Sequence, residues 1–304
     1  MRRNDPILVS TSGPGNSRMR WAGRPSGGAE PARMQRQRGS VSIAVLGLGE
    51  AGSLLARDLA AGGAVVRGWD PDLHGDLSGI PLAESFATAV DGADVVLSVN
   101  WATVALDVAR DTLPYLRPGR IYADLNTAGP ALKLSLAEVV APSGASFVDV
   151  AMMSPVPPLG IRVPMFLAGE GAAALADIFR PFGTPLEIVG MQPGEAAARK
   201  LTRSVFFKGM SAAVYEALEA ARAAGVEEWL RADITRTFVG ADEKMLDRIV
   251  DGTLKHAVRR AHEMHDATEL LDGLGVPATI TRATTESLER IADARTEPSR
   301  PART

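Results

Sequence analysis

Val41-Ser42-Ile43-Ala44-Val45-Leu46 runs straight into Gly47-Leu48-Gly49-Glu50-Ala51-Gly52. The first six residues are mostly β-branched or apolar and are bounded by glycine, which predicts a short buried strand. A helical stretch, Ser53–Ala61, follows the glycines, and Gly62-Gly63 stop it. A second strand is expected over Ala64–Trp69, ended by Asp70. Strand, glycine turn, helix, strand and acid in this order form the dinucleotide-binding fingerprint in its required context. Gly47 permits the tight turn, Gly49 lets backbone approach a pyrophosphate, and Gly52 allows helix to pack closely on strand. Leu48, Glu50 and Ala51 complete a segment whose free amides and helix dipole favour phosphate. Asp70 is placed to accept hydrogen bonds from the adenosine ribose and would repel a 2′-phosphate, so NAD is expected in preference to NADP. Arg67 is the nearby cation that argues the other way. The alternative for the whole turn is a packing role without a ligand.

The α/β alternation continues. Helices are expected over Leu82–Val90, Thr103–Leu116 and Ala131–Val140, and strands over Ala93–Val99, Ile121–Leu125 and Ser146–Ala151. Val163–Ala168 and Leu186–Val189 read as the last strands, with Ala172–Arg180 helical between them. The fold class is therefore an α/β Rossmann-type, doubly wound parallel sheet. In such sheets ligands sit outside the carboxyl ends of the strands, which places Asn100, Asn126 and Thr127 where a cofactor would lie. Asn and Thr also serve as plain turn residues, and that reading stays open for each. Met152 to Gly160 is a stiff, proline-rich loop in which Ser154 is placed to donate to a substrate carboxylate; a helix cap or a turn is its other use.

At 304 residues, about 150 per domain gives two domains. The divisions expected are an N-terminal extension over 1–39, a nucleotide-binding domain over 40–191, a helical substrate and dimerisation domain over 192–294, and a disordered tail over 295–304. Met1–Gly39 holds eight arginines against two acids and many glycines and prolines. It reads as disordered, or as an extension upstream of a true start at Met34. Its +6, against −3 for the whole chain, leaves −9 on residues 40–304, and an acidic body argues against nucleic acid as a partner. No apolar run approaches the roughly 18 residues that span a membrane. The absence of cysteine removes disulfides, thiolate nucleophiles and cysteine metal sites, and a cytoplasmic location is expected.

The second half is helical. Glu195–Ala224 is apolar around most of its circumference, the pattern of a buried rod. Lys200, Ser204, Lys208, Ser211 and Tyr215 nevertheless fall on one narrow strip of it. Burying unpaired ammonium groups is costly, so the strip is expected to line a cleft; a solvated edge is the alternative. Val226–Arg295 is expected to be helical, with breaks near Gly240, Gly252 and Gly273-Leu274-Gly275-Val276-Pro277. His262 and His265 share a helix face, but a metal site needs more ligands than these, and no metal is expected.

Five segments together resemble the β-hydroxyacid dehydrogenase superfamily, which includes 6-phosphogluconate dehydrogenase: IAVLGLGEAG (43–52), GWDP (68–71), DLNTAGP (124–130), DVAMMSP (149–155) and GEAAARKLTRSVFFKG (194–209). The pattern is most similar to a phosphogluconate dehydrogenase-like branch with a compact helical C-terminal domain. The resemblance spans about residues 41–292 and implies that Lys200, on a long inter-domain helix, is the acid/base. It places Ser204 where the family carries a substrate-holding asparagine, and Lys208 where phosphogluconate enzymes bind the substrate phosphate. It sets His262 and Glu263 about where the family has a lysine–aspartate pair near nicotinamide and substrate. In the substrate loop Met153 replaces the usual serine, with Ser154 beside it. The resemblance also implies a homodimer in which C-terminal helices of one chain close over the cleft of the other.

The function expected is hydride transfer between NAD and a small, anionic β-hydroxy acid or related alcohol. Desolvation and the like charge of Lys208 would lower the pKa of Lys200 towards neutrality. Two other readings remain: a biosynthetic carbonyl or imine reductase on the same scaffold, and a regulator that holds NAD(H) without chemistry. Intact Lys200 argues against the regulator and Ser204 argues for it.

Overall fold

In the computed structural model, which describes residues 40–73 and 79–296, the glycine turn lies between β1 (Ser42–Leu46) and α1 (Glu50–Ala61). The N-terminal extension and the tail beyond residue 296 lie outside the described residues. The alternation then runs β2 (Val65–Trp69), α2 (Phe86–Val90), β3 (Val95–Ser98), α3 (Ala105–Thr112), β4 (Ile121–Asp124), α4 (Pro130–Val140), β5 (Ser146–Met152), β6 (Met165–Ala168), α5 (Ala172–Phe179) and β7 (Leu186–Gly190). These strands form a seven-stranded sheet in the order β2-β1-β3-β4-β5-β6-β7.

Helices cover both faces of the sheet, which is why its strands are apolar throughout instead of alternating. Ile43, Val45, Val95, Leu97, Ile121, Ala123, Val148 and Val150 point into one core with Leu55 and Leu59 of α1 and Leu175 and Phe179 of α5. Their sequence neighbours Ala44, Leu46, Val96, Tyr122 and Phe147 point into the other, with Ala105 and Ala109 of α3 and Leu136 and Val140 of α4. Full burial of a leucine or phenylalanine side chain is worth about 1.5–3 kcal/mol, so these two layers hold the sheet.

Two strands depart from the parallel sheet expected, β6 and β7, which both run opposite to β1–β5. β6 pairs antiparallel to β5, while β7 returns parallel to β6. A parallel return needs a crossover, usually a helix. Between Met152 and Met165 the chain has only the proline-rich loop and a single helical turn over Gly160–Arg162. It therefore doubles back, with the Met153 amide donating to Pro164 O (2.8 Å). Proline and capping chemistry also trimmed two helices. Ser85 caps α2 through a reciprocal pair with Thr88, so Leu82 stays extended and bridges Gly68. Pro114 turns the end of α3 into a separate short turn.

α6 (Glu195–Ala223) leaves the sheet and leads into α7 (Glu227–Val239), α8 (Met245–Gly273) and α9 (Thr279–Thr296). The expectation of a buried rod is corrected here. Only Ala196, Ala197, Glu216 and Ala221 of α6 are buried. Its first turns pack on β5, β6, β7 and α4, and its distal half packs mainly on α7 and α9. Val205 (77 % exposed), Phe206 (60 %) and Tyr215 (66 %) are largely uncovered by the described residues. α8 does not break at Gly252 but kinks at His256. A side chain at residue 252 would crowd the Arg260 guanidinium, which donates to Thr253 Oγ1 (2.7 Å), so the glycine makes room for a brace across the kink. No helix among the described residues is long and apolar enough to cross a membrane.

Candidate active site

The glycine turn is shaped by backbone crowding. Gly47 has φ +100°, and a Cβ there would lie 2.3 Å from Val99 O; a Cβ on Gly52 would lie 1.9 Å from Gly47 O. A Cβ on Gly49 would meet no protein atom within 4 Å, so the backbone there faces open space. α1 begins with no side-chain cap, which leaves its first amides to a ligand. Gly47, Gly49, Glu50, Ala51 and Gly52 line a cleft of about 540 Å³ at the carboxyl ends of β1, β2, β3 and β4. Asp70, Asn100, Asn126 and Thr127 line the same cleft. Leu48 does not: its side chain is buried in the core, and its amide donates to Asp70 Oδ2 (2.7 Å). The Asp72 amide donates to Asp70 Oδ1 (3.0 Å), so the carboxylate is held by backbone at the cleft wall. Arg67 is turned away. Its guanidinium donates to Thr88 O (3.0 Å) and Asp91 O (2.6 Å).

Asn126 is the inner polar group. It is buried, and its Nδ2 donates to Asp124 Oδ1 (2.6 Å), Asn100 Oδ1 (2.9 Å) and Ser98 Oγ (3.2 Å). Its Oδ1 accepts no hydrogen bond from the protein. A buried acceptor without a donor is costly, and this one lies on the wall of a dinucleotide-sized cleft. The open backbone at Gly49, the uncapped helix and the orphan Asn126 oxygen together fit a nicotinamide dinucleotide.

Lys200 stands at the edge of the cleft. Its Nζ donates to Thr127 Oγ1 (2.9 Å), joining α6 to the turn after β4. Half-buried, it has a pKa lowered chiefly by desolvation and next by Lys133, with Asp149 pulling the other way. The nearby like charge is thus Lys133 of α4, not Lys208, which is exposed on α6. Ser154 and Ser204 are half-buried, beyond β5 and one turn past Lys200 respectively. Arg203 ties their two segments together: its guanidinium donates to Met153 O (3.2 Å) and lies 4.1 Å from the centre of the Phe207 ring.

His262 and Glu263 lie apart from this group. Both are exposed on α8, Glu263 pairs with Arg259 (3.3 Å), and neither lines the nucleotide cleft of its own chain. Among the described residues no cluster of His, Asp and Glu could hold a metal ion.

Sequence reasoning passed over the residues beneath the site. Asp124 and Asp149 are paired neighbours in the register of β4 and β5, and both are fully buried. Lys133, 1 % exposed, donates to Asp124 Oδ2 (2.6 Å) and Asp124 O (2.9 Å) and lies 3.2 Å from Asp149 Oδ1. Burial pushes the Asp124 carboxyl up, against the pull of Lys133, Asn126 and Ser98. One signal was available: Lys133 shares the i, i+3, i+7 face of Leu136 and Val140, a core stripe. Trp69, Phe86, Trp101, Val104, Asp111 and Met152 also line the cleft and were not anticipated.

Residues 42–154 match the NAD binding domain of 6-phosphogluconate dehydrogenase, and residues 221–291 match a domain of unknown function, DUF1932. A conserved hypothetical protein from Sinorhizobium meliloti 1021 is similar over 87 % of this chain and 92 % of its own, at 32 % identity and TM-score 0.57. A conserved protein of unknown function, described as structurally similar to 3-hydroxyacid dehydrogenases, is 26 % identical over 84 % of this chain and 98 % of its own, with TM-score 0.55. An imine reductase from Pseudomonas sp. shares the fold at 20 % identity and TM-score 0.67, over 84 % of this chain and 95 % of its own. Its glycine turn, nucleotide cleft and trailing helices place this chain in the 6-phosphogluconate dehydrogenase-like family, as an NAD(P)-binding oxidoreductase of the hydroxyacid dehydrogenase-like type whose C-terminal region is the DUF1932 domain.

Proposed function

We propose that the protein oxidises a small, anionic β-hydroxy acid or related alcohol, with NAD as cofactor and Lys200 as the general acid/base. The observation that carries this reading is the Lys200–Thr127 hydrogen bond at the rim of the dinucleotide cleft. The nicotinamide, when bound, supplies the hydride acceptor. The turn from Gly47 to Gly52 takes the pyrophosphate, Asp70 takes ribose hydroxyls, and Asn126 Oδ1 accepts a hydrogen bond from the ligand. Lys200, in its unprotonated form, takes the proton of the substrate hydroxyl and returns it in the reverse direction; the lowered pKa favours that form. Ser154, Ser204 and Lys208 hold the substrate's anionic group. NAD is preferred because Asp70, Asp72 and Asp111 all line the cleft while Arg67 is bound to backbone elsewhere. Among the described residues lining the cleft, a 2′-phosphate would meet these carboxylates and no cation.

The working unit in this reading is a homodimer. Val205, Phe206 and Tyr215 on α6, Trp229 on α7, and Leu246 and Ile249 on α8 are all exposed. Apolar patches of this kind mark interaction surfaces. A second copy would cover them and bring its His262 and Glu263 to the cleft.

Carbonyl or imine reduction is the second reading, favoured by the shared fold and by a proton donor at Lys200 that would serve reduction as well. The test is NADH formation with a panel of hydroxy acids and their phosphorylated analogues, and NADH consumption with the matching ketones and imines. Turnover of hydroxy acids supports the first reading and turnover of imines alone supports the second. NADH binding with no turnover in either direction overturns both.

A further inference from the structure

Lys133 is too deep to touch a substrate, yet it lies beneath both halves of the candidate catalytic pair. Through Asp124 it is joined to the end of β4, which carries Asn126 and Thr127. Through Asp149 it is joined to the start of α6: Asp149 Oδ1 faces Lys133 (3.2 Å), while Asp149 Oδ2 accepts from the amides of Gly194 and Ala197 (both 3.0 Å). Lys200 follows Ala197 by one helical turn and closes the loop by donating to Thr127. β4, α4, β5 and α6 are thus linked in a ring that reaches the cleft at the Lys200–Thr127 pair.

We propose that the buried Asp124–Lys133–Asp149 triad is the positioning unit of the active site: it seats the Lys200–Thr127 pair and holds the Lys133 side chain and the α6-capping Asp149 carboxylate behind Lys200, where their charges bias the amine. This deepens the proposed function and rests on Lys200 being the acid/base.

A triad kept only for stability would be an expensive choice. Replacing a buried ion pair by apolar groups of similar size is often neutral or stabilising, and two adjacent buried carboxylates need a cation merely to stay ionised. The charge instead has a use at the cleft. Lys133 opposes protonation of Lys200 and Asp149 favours it, so the two set opposing biases on the same amine. The other charged groups around Lys200 are few. Arg203, on its own helix, is engaged with Met153 O and Phe207. Arg199 and Glu195 are exposed. β6 brings no ionisable group, and β7 brings Glu187, which is exposed. α4 carries Glu138 besides Lys133. α7 and α9 meet α6 in its distal half, through Arg222–Glu227 and Glu216.

The test reads Lys200 directly and needs no substrate. In the free, full-length protein, the pH dependence of acetic anhydride labelling at Lys200 is measured by mass spectrometry, with exposed Lys244 and Lys255 as internal references. In the wild type Lys200 should deprotonate at lower pH than the references. Lys133→Met should move its midpoint up, Asp149→Asn should move it down while the amide oxygen keeps the α6 cap, and Lys133→Arg should leave it near wild type. A kcat/KM–pH profile should shift with the labelling midpoint, and Lys133→Met should lose about tenfold at neutral pH and recover as pH rises. Opposite shifts with native circular dichroism support the triad; unchanged midpoints, or shifts in one common direction, overturn it. If Lys133→Met does not fold, Asp149→Asn decides alone, and an unmoved midpoint there overturns the proposal. Absence of turnover with every substrate would instead sink the proposed function, and the labelling result would still stand.

Discussion

Lys200 of α6 donates to Thr127, 73 residues earlier in the chain, and this bond joins the long helix to the rim of the nucleotide cleft. Lys200→Met should therefore remove the proton acceptor and leave the cofactor site intact. We expect kcat to fall by about 10²–10⁴ with NADH affinity nearly unchanged. Steady-state rates and NADH fluorescence titration check the two halves separately.

The pH profile should carry the signature of a desolvated lysine. Oxidation requires neutral Lys200, so the rate should rise with pH through the pKa of this group. That midpoint should lie below the ordinary 10.5, because burial and Lys133 both disfavour the ammonium. In the reductive direction the protonated form is needed, and the rate should fall across the same interval. A profile of kcat/KM in both directions tests the sign.

Cofactor choice should turn on Asp70. Its carboxylate is fixed by the amides of Leu48 and Asp72 at the cleft wall. Asp70→Ser should weaken NAD binding by about tenfold, or 1.4 kcal/mol, and raise the relative affinity for NADP. Calorimetric titration with each cofactor gives the ratio, and an unchanged preference would remove Asp70 from the role.

Gly52→Ala should close the cleft from beneath. The added methyl would sit 1.9 Å from Gly47 O, so α1 or the turn has to move. Dinucleotide affinity should drop by at least tenfold, with a lowered thermal midpoint. Gly49→Ala meets no protein atom, so it should leave stability nearly unchanged and lose cofactor affinity.

Glu216 anchors the start of α9. Its carboxylate accepts from the amides of Ile280 (2.7 Å) and Thr281 (2.8 Å) and from the Thr281 hydroxyl (2.7 Å). Burial alone would raise its pKa; these hydrogen bonds outweigh that and hold it below the usual 4.5. Its contribution is therefore complete above 4.5 and is lost as pH falls through the lower folded-state value. Glu216→Ala should cost about 1.5–3 kcal/mol at neutral pH, and the difference from wild type should shrink on acidification. Urea unfolding at a series of pH values measures this.

The structure sorts the residues of the site by the distance over which each is specified. Gly47 to Gly52, Asp70, Asn100, Asn126 and Thr127 all follow strand ends, in a turn or in the first turn of α1, and strand ends were readable from short apolar runs. Lys200 was readable as a cation on an apolar helix. Lys133, Asp124 and Asp149 were not read as a unit. Each looks ordinary in its own segment, and the triad exists only because β4 and β5 pair in register with Asp124 opposite Asp149. The direction of β6 was missed for a related reason: its apolar pattern is the same whether the strand runs parallel or antiparallel.

From the sequence alone came the nucleotide-binding half, its glycine turn and acid, the long helix and the lysine on it. These follow from local backbone sterics and from periodicities of about 2 and 3.6 residues, which the chain carries within each segment. Tertiary structure alone decided what lies around the lysine: Thr127 as its partner, Lys133 as the cation behind it, and an exposed middle of α6, over residues 201–209, where the sequence suggested burial. Burial and charge pairing are properties of segments brought together from distant parts of the chain, and no single stretch encodes its own neighbours.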